Sequence, residues 1–127
     1  MSKQSLRETV FEYVKEKYQS EIEYLWFKYP NYAVFRNKIN NKWYGIVMDV
    51  PYKKLGIEKE GKVDILNVKV ANFMIKELLI QQKGILNGYH IARGNWISLL
   101  LDGTNKSEQI YRFIDESYDL VNKSKRR

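Results

Sequence analysis

Apolar residues Leu6, Val10, Val14 and Tyr18 recur at near-helical spacing, and Ser5 with Glu8 sets a capping-box pattern ahead of them. This predicts a helix over residues 5–19. Ile22, Leu25, Trp26, Phe27 and Tyr29 form an apolar cluster, helical or irregular, that Pro30 terminates. Beyond Pro30 the period falls to two. Ala33, Phe35 and Asn37 alternate with Val34, Arg36 and Lys38, and Asn40-Asn41 signals a turn. A second strand is expected over 43–50. One of its faces carries Tyr44, Ile46, Met48 and Val50, and the other Trp43, Gly45, Val47 and Asp49. Residues 51–61, with Pro51, Gly56 and Gly61 among charges, read as a loop, and 63–70 as a third strand.

Helical spacing returns over 71–83, with Met74, Ile75, Leu78 and Leu79 on one face. Gly84 and Gly88 bracket a loop. Residues 89–92 and 96–102 are expected to form a hairpin with Ile97, Leu99 and Leu101 inward. Asn105 with Glu108 resembles a second capping box, before a closing amphipathic helix carrying Ile110, Phe113, Ile114, Tyr118 and Val121. The predicted order is α-β-β-β-α-β-β-α. Its short turns imply antiparallel pairing, so the fold class is α+β, with helices on an antiparallel sheet.

Composition narrows the chemistry. The chain has 127 residues, enough for one core, and no cysteine, which excludes disulfides, thiolate metal sites and a cysteine nucleophile. A single histidine, His90, excludes a multi-histidine metal site. Charges at Lys3, Arg7, Glu8 and Glu12 interrupt the start, and no apolar run approaches membrane length. The expectation is a cytoplasmic protein with no membrane segment: one domain over 1–121 and a basic, frayed tail over 122–127. The net charge of +7 is uneven. Residues 1–30 balance, 31–101 carry +6, 102–121 carry −3 and the tail adds +4. A basic middle suits an anionic partner.

Most catalytic motifs fail on physical grounds. Residues 56–62 spell GIEKEGK, close to a phosphate-binding loop. Val63 stands where Ser or Thr would hold magnesium, Glu58 and Glu60 would repel phosphate, and a strand follows instead of a helix N-terminus. His90 could act as a general base, but no orienting acid or nucleophile accompanies it in sequence. It is read as a structural histidine, hydrogen-bonded at a strand end beside Trp96. No catalytic residue, metal or cofactor is expected.

Aromatics make up 14% of the chain, and most belong in the core. Trp43 and Trp96 each alternate away from the aliphatic face of their own strand, and Arg36, Lys38 and Lys69 take the corresponding face of theirs. Exposed rings stack on bases while Lys and Arg contact phosphates. Arg36, Lys38, Lys42, Trp43, Lys69, His90, Arg93 and Trp96 are therefore the candidate nucleic-acid-binding residues. The competing reading has the tryptophans covered by residues 20–30 or by the tail.

Residues 35–38 and 42–50 resemble the early strands of the MmcQ/YjbR-like family of small bacterial proteins. Gly88-Tyr89-His90 followed by Asn95-Trp96 resembles that family's Pro-Gly-Tyr-His-Met-Asn-Lys-x-His-Trp signature, and residues 117–121 its closing helix. Asn87, Ile91, Ala92 and Asn95 depart from the signature, whereas Arg93 keeps the charge of its Lys. The resemblance implies a two-layer α-β(3)-α-β(2)-α fold similar to secretion-chaperone-like domains. It also implies a double-wing DNA-binding arrangement, with two hairpins as wings and no catalytic activity. Two functional classes stand: a DNA-binding module working through the hairpins at 36–43 and 90–96, or a protein-interaction or chaperone-like module working through the aromatic surface of 22–29 and the sheet. The partner is accordingly DNA or a protein, and the chain is expected not to be an enzyme; the sequence leaves the oligomeric state open, a monomer being favoured.

Overall fold

The structure, a computed structural model, describes residues 5–91 and 93–123. Helix α1 (Leu6–Tyr18) starts where the sequence places it: the Ser5 hydroxyl accepts from Glu8 N and the Glu8 carboxylate accepts from Ser5 N. Five strands follow: β1 (Ala33–Arg36), β2 (Trp43–Pro51), β3 (Lys62–Lys69), β4 (Ile85–Asn87) and β5 (Trp96–Leu100). Helix α2 (Phe73–Leu79) joins β3 to β4, and α3 (Ser107–Lys123) closes the chain. The strands form one antiparallel sheet in the order β1-β2-β3-β5-β4, as the short turns require. Helix α3 runs through Lys123, so the basic tail expected from 122 begins later, and its last four residues lie outside the described ones.

Both faces of the sheet are buried, which defeats simple alternation as a guide to its inner side. Val10 and Val14 of α1 and Ile110, Ile114 and Val121 of α3 pack on Phe35, Tyr44, Val47, Leu66, Val68, Ile97 and Leu99. The opposite face carries Val34, Ile46, Met48, Val50, Val63 and Ile65. A short 3-10 helix, Tyr52–Leu55, and irregular segments cover it, through Trp26, Tyr32, Leu55, Ile57, Tyr89 and Ile91. The ambiguous cluster at 20–30 is therefore an irregular lid, tied to the sheet edge by a bridge between Glu23 and Val34.

A β-bulge governs the start of β2. Phe35 pairs with Gly45 and Arg36 with Trp43, leaving Tyr44 unpaired on the ladder. Tyr44 swings onto the helix face, where its ring meets Phe35, Tyr18 and Tyr118. Trp43 consequently lies with Ile46 and Met48, the reverse of the alternation expected for it. The hydroxyl of Ser117 on α3 closes the gap: it donates to the Tyr44 carbonyl (2.7 Å) and accepts from Lys69 N (2.9 Å). Gly45 fits only because the Phe35 ring occupies the space of a side chain; a Cβ there would lie 2.5 Å from Phe35 Cδ2.

Three further expectations change. The first strand of the last hairpin is β4, at 85–87, because Gly88 N bonds to Trp96 O and Tyr89 turns its N–H to the Ser98 hydroxyl; residues 89–91 are not a strand. Helix α2 stops at Leu79 and packs beside the short edge strand β4; Met74, Ile75 and Leu78 face solvent while Leu79 and Ile80 pack inward. Asn105 is not a cap. Its buried amide donates to Gly84 O and Leu100 O, and its Oδ1 accepts from Gln109.

Helices α1 and α3 join through stacked rings, Tyr13 on Tyr111 and Tyr18 on Tyr118, around the Asp115 carboxylate. Asp115 accepts from Tyr13, Tyr18 and Lys17 at 2.6–3.0 Å. Burial alone would raise its pKa, but these donors outweigh it and hold the carboxyl below the ordinary Asp value.

Gly45→Ala should destabilise the fold by about 1–3 kcal/mol, the cost of overpacking, read by denaturant unfolding. Asp115→Asn should cost about 1–2 kcal/mol at pH 7. Because the folded-state pKa is lowered, this contribution is complete above about pH 4 and lost as pH falls through the lowered value. The gap between wild type and Asp115→Asn should therefore narrow on acidification; a gap that widens there contradicts the assignment.

Candidate functional site

Strand register assembles the candidate residues. Arg36 ends β1 opposite Trp43, the first residue of β2, and Lys69 ends β3 opposite Trp96, the first residue of β5. Asn87 ends β4 beside the same end of β5. Antiparallel order thus brings Arg36, Trp43, Lys69 and Trp96 to one end of the sheet, from which the 37–42 turn and the 88–95 loop both project. The two loops leave the sheet about 14 Å apart, three inter-strand spacings of ~4.8 Å. Neither contains a carboxylate, while together they carry Lys38, Lys42, Arg93 and His90.

The 37–42 turn is held by asparagines. Asn37, fully buried, accepts the N–H groups of Ile39 and Asn40 on its Oδ1 and donates from Nδ2 to Asn122 on α3. Asn40 donates to the Val121 carbonyl (2.8 Å) and accepts from Lys42 N. Asn41 takes φ 65°, a left-handed conformation that Asn tolerates. This scaffold presents Lys38, Ile39 and Lys42 to solvent.

The 88–95 loop is tethered from beneath by buried polar groups. Ser98 accepts from Tyr89 N and donates to Asn67 Oδ1, and the Asn67 amide points at Met48 Sδ. Asn95 O accepts from Val70 N. Arg93 is exposed. His90 is also exposed, at φ 59°, with its ring against Tyr89. The expected hydrogen-bonded histidine beside Trp96 is thus corrected: the chain turns at His90, one residue after the Tyr89–Ser98 tether. Among the described residues no carboxylate pairs with His90, and no group of acids and histidine is placed to hold a metal.

The aromatic part of the predicted surface is not available for stacking. Trp96 is 9% exposed. Trp43 is half-buried under Trp26 and carries the Arg36 guanidinium on its ring. Arg36 is itself neutralised, its Nε on Glu23 at 3.0 Å and its Nη1 on the Asn41 carbonyl. These three residues build the sheet end rather than its outer surface. Lys69 is half-buried in the strand, and Lys38, Lys42, His90 and Arg93 form the exposed set. Sequence reasoning missed the asparagine scaffold, although the run Asn37-Lys38-Ile39-Asn40-Asn41-Lys42 is its visible signal. It also missed Glu23, whose partner is distant along the chain.

A left-handed backbone at position 90 disfavours side chains branched at Cβ. His90→Val should lower stability by about 1–2 kcal/mol, whereas His90→Gly should melt at or above the parent temperature. Equal melting of all three proteins would refute the conformational assignment.

The folded chain has close relatives of known sequence and structure. The Bacillus subtilis (strain 168) protein YyaQ is 44% identical over 115 residues, covering 91% of this chain and 97% of that protein. A crystal structure of a Pseudomonas syringae protein superposes with a TM-score of 0.85 at 35% identity, over 90% of this chain and 97% of that one. A Deinococcus radiodurans protein at 21% identity shares the fold, with a TM-score of 0.69 over 94% of this chain and 80% of that one. The YjbR family profile matches residues 15–120, spanning the last turn of α1, every strand, α2 and most of α3. With the Gly88-Tyr89-His90 segment and Trp96 placed at the sheet end where two loops converge, the chain belongs to the YjbR family.

Proposed function

We propose that the sheet end bearing the 37–42 turn and the 88–95 loop binds double-stranded DNA, the two loops acting as wings that grip its phosphates. One observation carries the reading: two carboxylate-free, cation-bearing loops project side by side from one edge of a rigid sheet. Their separation of about 14 Å is close to the ~12 Å width of the major groove. Lys38, Lys42 and Arg93 supply phosphate contacts, with Lys69 reinforcing the local potential. Since Trp43 and Trp96 are covered, base stacking has no part in it, and contacts of this kind carry little sequence information. Asp115 is occupied at the α1–α3 seam, so the acidity of α3 is partly satisfied inside the protein.

A second reading has its own observation. Phe73, Met74, Ile75 and Leu78 expose an apolar face on α2, and Tyr24, Leu25 and Phe27 expose another on the lid, which suits a protein partner. Salt separates the two, because counterion release makes phosphate binding steeply salt-dependent and an apolar interface lacks that slope.

Fluorescence-anisotropy titration of a chain ending at Lys123 with duplex DNA at several salt concentrations tests the proposal while removing the tail's charge. The logarithmic salt slope should fall by about one for each of Lys38→Ala, Lys42→Ala and Arg93→Ala, and by about three in the triple variant. The loss should be similar on unrelated DNA sequences. Normal binding by the triple variant, with loss of binding on removing residues 124–127, would assign the affinity to the tail and end the wing hypothesis.

A further inference from the structure

Ile39 stands at the tip of the 37–42 turn, 80% exposed, on a segment otherwise made of Asn and Lys. A flexible turn could fold such a side chain back against the protein. This one cannot, because its backbone is fixed from both sides. Ile39 N donates to Asn37 Oδ1 at 2.8 Å, Asn37 N to Lys42 O at 2.8 Å and Asn41 N to Asn37 O at 2.7 Å. The turn is also anchored to the end of α3 through Asn37–Asn122 and Asn40–Val121. Lys38 and Lys42, both exposed, flank the tip. A branched aliphatic side chain is thus held rigidly outward between two cations.

We propose that Ile39 is a wedge residue that inserts between adjacent base pairs of the bound duplex and opens the step it enters. The inference rests on the DNA-binding reading above and assigns a chemical role that phosphate contacts do not supply. Apolar side chains inserted between base steps partly unstack them and bend the duplex, at a cost of a few kcal/mol per step that the added contacts offset. A preformed tip reduces that cost on the protein side, because the turn loses little freedom when it inserts. Burial of the Ile side chain in the stack supplies the favourable term. Pyrimidine–purine steps, above all TA, open most easily, so the wedge creates a preference for flexible steps without any hydrogen bond to a base. Among the described residues of the 88–95 loop, Arg93 and His90 are exposed side chains while Ile91 packs against the sheet, so the two wings differ in kind: one opens the duplex and the other holds its backbone.

The test uses the full chain and a short duplex of repeated TA steps carrying 2-aminopurine, whose fluorescence rises on unstacking, with a donor–acceptor pair at its ends to read bending. Wild-type protein should raise the 2-aminopurine signal and shorten the end-to-end distance. Ile39→Ser should abolish both changes and weaken binding by about tenfold, yet leave the salt slope unchanged, since every phosphate contact remains. Ile39→Leu should restore both signals. Lys38→Ala should show the converse, a reduced salt slope with unstacking retained at saturation. A mismatched duplex, already partly unstacked, should bind wild type more tightly than the matched one and Ile39→Ser no more tightly. Unchanged unstacking, bending and affinity in Ile39→Ser, with a normal salt slope, would overturn the wedge and leave the phosphate-binding reading standing. Absence of salt-dependent binding by the wild type would overturn both.

Discussion

The hydroxyl of Ser117 ties the two halves of the molecule together. Fully buried, it gives its hydrogen to the Tyr44 carbonyl and takes one from the Lys69 amide, two backbone groups that the bulge leaves beyond the last paired rung of the β2–β3 ladder. A buried carbonyl and amide without partners would each cost about 1–3 kcal/mol. The bulge is tolerable only because α3 delivers this one side chain to it. In return the bulge turns Tyr44 into the helix layer, where it meets Tyr18 and Tyr118, and turns Trp43 to the other face. The direction in which the 37–42 turn leaves the sheet follows from that local twist.

The same end of the sheet shows how rigidity is distributed. Side chains that sequence logic offers as contact groups, Arg36, Trp43 and Trp96, are used internally as an ion pair, a cation–π contact and a buried ring. They hold the platform on which Lys38, Lys42 and Arg93 stand. Polar scaffolds anchor both loops: Asn37 and Asn40 to the end of α3, and Tyr89 through Ser98 to Asn67. Loops fixed in this way lose little entropy on meeting a partner, which suits recognition by shape and charge. The acidic residue most deeply engaged in α3, Asp115, lies at the seam with α1 among tyrosines.

Helix α2 obeys a different constraint. It links β3 to β4 across the neighbouring β5, and its two turns pack beside the edge strand with Leu79 inward, so Phe73, Met74, Ile75 and Leu78 stay outside the core. Helical periodicity records that these residues share a face; it does not record which way the face points.

Local signals in the sequence were enough for the element types, the Ser5–Glu8 cap, the antiparallel sheet and the family resemblance. Each depends on residues a few positions apart: a capping pair, period-two alternation, a turn of asparagines. The basic character of the two loops was equally plain, because charge is a property of composition. What the tertiary structure alone decided was orientation and partnership. Alternation could not name the inner face of a sheet buried on both sides, nor foresee that one extra residue at Tyr44 would exchange the sides of Trp43 and Tyr44. The partners Glu23 for Arg36, Trp26 for Trp43 and Ser117 for the bulge are distant along the chain, and only packing brings them together. Register, an outcome of every strand at once, then set four strand ends side by side and placed both loops on one edge.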